Sequence, residues 1–297
     1  MGRGVQLTAA RCARAAVLIA IGLATSVTAS MQRARFATGV EAVRVDALVT
    51  DGNRPVLNLT KEDFELRDNG VLQDLTSVQV ERVPLSIALA IDNSSSVAGA
   101  RLERLIGASE ELLRSVKQDD RVRLIGFSHI MKQQPLQPGT TTLDVRRMTA
   151  VGTTGLYDAI HTALLLARSG DARALALVFT DGRDNASWLT ENDLLAAAKR
   201  SATVLYVVGL PSSPRLDPSN TAMETLAEAT GGRFLIARND DEIALTFRQV
   251  LDEFRQRYLL LYTPAGVAPG GAHKINVTVR RGGVSVRARS GYEVHGQ

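Results

Sequence analysis

Between residues 85 and 256 the chain alternates short apolar runs with longer stretches in which apolar residues recur every three or four positions. The runs are 85–91, 121–127, 175–180 and 203–208, with a fainter one at 233–236. Mostly apolar and only four to seven residues long, they predict buried strands. Between the first two, Leu102, Leu105, Ile106, Leu112, Leu113 and Val116 share one helical face, and Ile243, Phe247, Val250, Leu251 and Phe254 do so at the end of the block. Alanine-rich helices fit 156–168, 194–201 and 222–230. Strands alternating with helices of this length predict an α/β block with a mostly parallel sheet covered by helices on both sides.

Both flanks carry the other periodicity. Val43, Val45, Ala47 and Val49 fall on one strand face and Arg44, Asp46 and Leu48 on the other, with turn signals at Asp51-Gly52-Asn53 and Asp68-Asn69-Gly70. After residue 257, three strands are predicted at 258–262, 274–279 and 284–289, separated by Gly270-Gly271 and Gly282-Gly283. About three strands per flank are marginal alone. The economical arrangement joins residues 40–83 and 257–297 into one small antiparallel β-sandwich, with 84–256 inserted in it.

Residues 1–29 read as an address. Arg3, Arg11 and Arg14 precede an apolar stretch, and Val27-Thr28-Ala29 fits a small-residue cleavage site, the layout of a secretory signal peptide. An uncleaved anchor is the rival, although Thr25, Ser26, Thr28 and Ser30 dilute the far half of the run. Cleavage predicts a secreted, periplasmic or cell-envelope protein with no membrane span left. It also removes three Arg and no acid, so the net charge falls from +4 to +1. That balance argues against a nucleic-acid partner. The remaining charges look like solvated faces, as in Arg101-Leu-Glu-Arg104, and Arg280, Arg281, Arg287 and Arg289 read as guards on edge strands. The single cysteine, Cys12, excludes a disulfide framework and a thiolate zinc site.

In open α/β sheets ligands sit beyond the carboxyl ends of the strands. There the chain offers Asp92-Asn-Ser94-Ser-Ser96 and Asp181-Gly-Arg-Asp184, and Gly152-Thr-Thr154-Gly155, just before the helix at Leu156, should converge on the same edge. Two carboxylates and several hydroxyls, without thiol or imidazole, select a hard cation: Mg²⁺, Mn²⁺ or Ca²⁺. Two carboxylates leave such an ion under-coordinated, open to waters or an acidic group from outside. The competing reading is that Ser- and Asn-rich turns merely cap the helices that follow.

Asp92-x-Ser94-x-Ser96, Thr154 in Gly152-Thr-Thr-Gly-Leu-Tyr-Asp158, and Asp181 in Phe179-Thr-Asp-Gly182 together resemble the metal-ion-dependent adhesion site of von Willebrand factor A domains. The resemblance covers residues 84–256. The flanking Leu59-Thr-Lys-Glu-Asp-Phe64, Asp68-Asn-Gly70 and Arg287-Ala-Arg-Ser-Gly-Tyr292 resemble the "VWFA-related domain" family of secreted bacterial proteins. It implies a Rossmann-like sheet with Mg²⁺ as the first expectation. Ser94, Ser96 and Thr154 would be metal ligands, and Asp92 and Asp181 would bind directly or through water. A protein partner would supply a carboxylate to complete the octahedron. Thr153 is an alternative donor, but Thr154 sits where the family places its ligand. Asp158, Asp184 and Asn185 are expected to hold the loops rather than the ion.

No enzymatic motif competes. The four His are scattered, and G-x-S-x-G, P-loop and G-x-G-x-x-G patterns are missing. A Mg²⁺-dependent phosphatase attacking through Asp92 would want a second acid for the leaving group, and the position two residues on is Ser94. The expectation is a non-enzymatic binding module. The alternatives are a structural or assembly module with a non-functional metal site, and then the phosphatase.

Overall fold

In the first flank, β1 (Val43–Asp51), the two-residue β2 (Arg54–Pro55), β3 (Phe64–Asp68), β4 (Val71–Gln73) and β5 (Leu75–Gln79) follow one another through short turns. The α/β block then runs β6 (Leu85–Asp92), α1 (Ala100–Ser115), β7 (Arg121–Phe127), β8 (Met131–Gln134), α2 (Leu156–Leu166), β9 (Arg173–Thr180) and α3 (Glu191–Arg200). It continues with β10 (Val204–Gly209), α4 (Pro218–Ala229), β11 (Arg233–Ile236) and α5 (Ile243–Arg255). The chain closes with β12 (Tyr258–Tyr262), β13 (Gly271–Val279), β14 (Ser285–Arg287) and β15 (Gly291–Val294). This computed structural model describes residues 42–294 apart from 53, 81–82, 135–147, 169–171, 182–183 and 211–217. The expected leader at 1–29 and Gly182 and Arg183 of the third loop lie outside the described residues.

The central sheet has the order β11-β10-β9-β6-β7-β8, parallel except for β8 at its edge. The pleat sends alternate residues to opposite faces. Ile87, Leu89, Ile91, Leu175, Leu177 and Phe179 meet α1 and α5, and Phe179 stacks on Phe247 of α5 with centroids 3.6 Å apart. Ala88, Ala90, Ala176 and Val178 lie under α2, α3 and α4. The smaller residues on this second face fit the alanine-rich helices covering it. No helix among the described residues is long and apolar enough to cross a membrane. β8 went unpredicted because Met131-Lys-Gln-Gln134 carries neither periodicity; it is held by its ladder with β7.

The two flanks do pair with each other. β1 lies between β12 and β14 in the sheet β14-β1-β12-β5, and β3 lies between β13 and β4 in the sheet β15-β13-β3-β4. Val45, Ala47, Val49, Phe64, Leu66, Tyr258, Leu260, Tyr262, Ile275 and Val277 fill one core between these sheets. Within it Asp68 accepts hydrogen bonds from the Tyr262 and Tyr292 hydroxyls at 2.9 and 2.7 Å, and its other oxygen is 2.7 Å from His273 Nδ1.

Two expectations need correction. The predicted last strand is shorter than 284–289, and β15 after it was missed; its Gly291 lies so close to the His273 carbonyl that a Cβ would sit 2.3 Å away. Arg289 is no edge guard: it is buried, donates to the Gly291 carbonyl at 2.7 Å and lies over the Tyr292 ring. Burial lowers its pKa to about 10. Arg280, Arg281 and Arg287 are exposed.

Candidate cation site

β6 and β9 are neighbours, and Ile91 pairs with Phe179, so both strands end at the same level. From β6 the chain crosses to β7 on one side, whereas β9, β10 and β11 extend the sheet on the other. The two strand ends therefore flank the topological switch point, where a crevice opens beyond a parallel sheet. Asp92 is the last residue of β6, and Asp181 immediately follows β9.

Four of the five predicted residues form one hydrogen-bonded chain. Asp92 is fully buried; one carboxylate oxygen accepts from the Ser94 N–H at 2.9 Å and the other from the Thr180 hydroxyl at 2.8 Å. The Ser94 and Ser96 hydroxyls lie 2.9 Å apart, and Ser96 donates to Asp181 Oδ1 at 2.8 Å. Because Ser96 has one proton to give, Ser94 is the donor between the two. The other oxygen of Asp181 faces Arg101 Nη1 at 3.3 Å. Burial pushes the Asp92 carboxyl above the ordinary carboxylate range, with help from the negative Asp181; the bonds from Ser94 and Thr180 pull against it.

Thr154, the fifth, is brought in by the backbone. The loops after β6 and before α2 run side by side: Val151 N–H donates to the Asn93 carbonyl at 2.8 Å, and Ser95 N–H to the Gly152 carbonyl at 2.9 Å. Gly152 is needed there, since its φ is +71° and a Cβ would fall on the His129 ring. Thr154 N–H is held by Asn185 Oδ1 at 2.7 Å, and the Thr154 carbonyl accepts from the N–H groups of Asn185 and Ala186. Asp184 takes the Tyr157 N–H at 3.1 Å, and Asp158 takes those of Trp188 and Leu189 at 2.9 and 3.1 Å. Asp158, Asp184 and Asn185 thus tie the threonine loop to the segment after β9.

This donor set fits a hard cation. Among the described residues no group of three or more His, Cys, Asp or Glu gathers anywhere. An ion at this strand end would lean on hydroxyls, and Ser94 and Ser96 already converge between the two carboxylates. Oxygen donors of this kind suit Mg²⁺, Mn²⁺ or Ca²⁺ and disfavour zinc or copper.

Three neighbours escaped the sequence reading. Thr180 looked like an ordinary strand residue; its bond to Asp92 depends on the pairing of β6 with β9. Arg101 was assigned to a solvated face, and the structure places it on Asp181; a cation in the first turn of a helix was the available signal. Trp188 is 96% exposed in the segment held by Asp158, and as the chain's sole tryptophan it was visible without a fold.

An open, mostly parallel sheet with helices on both faces and oxygen donors at its switch point defines a doubly wound α/β domain. The family model for the von Willebrand factor type A domain matches residues 86–249, more than half of the chain, and the protein belongs to that family. A curated relative, the uncharacterized protein sll0103 of Synechocystis sp., is 25% identical over 180 residues, 57% of this chain. The match spans 41% of that relative's length. Among solved structures, the ArnB paralog VWA2 from Sulfolobus acidocaldarius superposes with a TM-score of 0.49 at 13% identity, covering 84% of this chain and 75% of that one. A von Willebrand factor type A protein from Catenulispora acidiphila gives 0.47 at 12% identity, covering 78% and 72%.

Proposed function

We propose that the protein is a secreted, non-enzymatic, adhesion-type binding module. A divalent cation, Mg²⁺ ahead of Mn²⁺ and Ca²⁺, would join its strand-end site to an acidic residue of a protein partner. The observation that carries this is a pair of neighbouring strand-end carboxylates joined through two serine hydroxyls, with Arg101 facing one of them. Ser94, Ser96 and Thr154, with Asp92 and Asp181, would hold the ion, which supplies a Lewis-acidic position for the partner's carboxylate. The protein's own work is orientation. Thr180 and the Ser94 N–H aim Asp92, and Asp184 and Asn185 fix the threonine loop.

A second reading has one observation behind it: every oxygen of Asp92 and Asp181 already has a protein partner, as a purely structural module would require. A melting curve of the mature protein in EDTA, Mg²⁺, Mn²⁺ and Ca²⁺ separates the two. A cation at about 100 times its dissociation constant stabilises by ~2.7 kcal/mol. We expect that shift in the wild type and its loss in Asp92→Ala and Asp181→Ala, with both variants still folded. No shift in any cation would favour the structural module. Full-affinity partner binding by either variant, or in EDTA, would sink the cation mechanism.

A further inference from the structure

Arg101 is the second residue of α1, where the helix dipole disfavours a cation. Its side chain is 29% exposed and reaches back to Asp181, whose side chain is 5% exposed. The four carboxylate oxygens at this end are engaged in two different ways. Both oxygens of Asp92 and one of Asp181 accept from neutral groups, namely the Ser94 N–H, Thr180 and Ser96. Each such bond uses one lone pair and leaves the carboxylate's full charge in place. Asp181 Oδ2 faces a full positive charge, that of Arg101 at 3.3 Å. A divalent ion among Ser94, Ser96 and Asp181 would meet that guanidinium as a like charge, competing for the same carboxylate.

Resting on the cation reading above, we propose that Arg101 is a built-in competitor of the divalent ion. It neutralises Asp181 while the ion is away and must give up Asp181 Oδ2 when the ion arrives, which sets the affinity below what the donors alone would give. Removing its charge therefore tightens cation binding and weakens the cation-free protein, two effects of opposite sign from one substitution.

The test is titration with Mn²⁺ alone, counting free ion by EPR, on wild type, Arg101→Gln, Arg101→Lys and Arg104→Gln, with melting curves of each in EDTA. Arg104 is one turn along the same helix and pairs with Asp241, so its variant loses the same charge without touching Asp181. The expected result for Arg101→Gln is binding roughly five- to tenfold tighter than wild type, with a lower melting temperature in EDTA. Arg101→Lys and Arg104→Gln should stay within about twofold of wild type. Unchanged or weaker binding by Arg101→Gln while wild type binds would overturn the competitor and leave the cation reading standing. So would an equal gain in Arg104→Gln, which would mean a general field effect. No Mn²⁺ binding by any of the four proteins would end both.

Discussion

The two ends of the parallel sheet both carry buried carboxylates and treat them in opposite ways. At the amino-terminal ends of the strands, each is matched with arginine. Arg173, the first residue of β9, pairs with buried Asp46 of β1, donates to the Phe254 carbonyl and lies over the Phe254 ring. Asp120 caps the start of β6 through the Leu85 N–H and pairs with Arg255 of α5. Arg257, fully buried, donates to the Tyr206 hydroxyl, the Asp46 carbonyl and the Gly231 carbonyl. Glu253 accepts from Tyr206 and pairs with Arg233. At the carboxyl ends, among the described residues, Asp92 has the Ser94 N–H and the Thr180 hydroxyl, and Asp181 has the Ser96 hydroxyl and a single arginine, Arg101. The first end is closed electrostatically and fastens the sandwich to the α/β block. The second, among the described residues, sets one arginine against two carboxylates, which is the imbalance the proposed cation would relieve.

Breaking the closed end should have the largest effect. Arg173→Ala strands the buried Asp46 carboxylate, and urea denaturation should show a loss of about 3–5 kcal/mol. Combining Arg173→Met with Asp46→Ala should recover much of it, because the uncompensated charge is then gone. A loss under about 1 kcal/mol for Arg173→Ala would mean that this end is looser than its geometry implies.

Alkaline pH probes closed clusters through their phenols. Burial raises the pKa of Tyr206 at the closed end, and of Tyr262 and Tyr292 around Asp68 in the sandwich. A raised folded-state pKa gives stability that is complete below the unfolded phenol's value of about 10. It is lost as pH climbs past that value toward the raised one. Stability should therefore fall by up to about 1.4 kcal/mol per pH unit for each phenol above that point. Tyr262→Phe should flatten the slope seen in denaturant titrations between about pH 10 and 11. An unchanged slope would show that this hydroxyl ionises as freely in the folded protein.

The smallest effect is expected at the open end. Asp92→Asn keeps the shape, accepts from the Ser94 N–H and can donate to Thr180, and it removes a buried charge whose pKa burial already raises. In EDTA it should melt at or above wild type, a change within about 1 kcal/mol, and its cation-induced shift should vanish. Damage as severe as that of Arg173→Ala would erase the contrast between the two ends.

The α/β block was legible because its signals are local. Leu85–Ile91 is apolar on both faces, and the α5 stripe from Ile243 to Phe254 has one helical period. Asp92 and Asp181 stood where such strands end, and Thr154 just before a helix. β8 was hidden because its residues show no period of their own. Arg289 was misread because a charge in a short Gly-flanked strand looks solvent-bound, whereas the fold buries it beside the Gly291 carbonyl and over the Tyr292 ring.

By itself the sequence determined the alternation of strands and helices, the strand periodicity of both flanks, and the hard-oxygen character of the loops that carry Asp92, Thr154 and Asp181. These follow from periodicity and from side-chain chemistry, which each short segment carries with it. Only the tertiary structure decided that Asp92 and Asp181 share a serine bridge, that Thr180 and Arg101 complete their surroundings, and that the opposite end is locked by arginines. Those outcomes depend on which strand lies beside which and in what register. The fold brings together residues from 20 to more than 100 positions apart, and no local pattern records it.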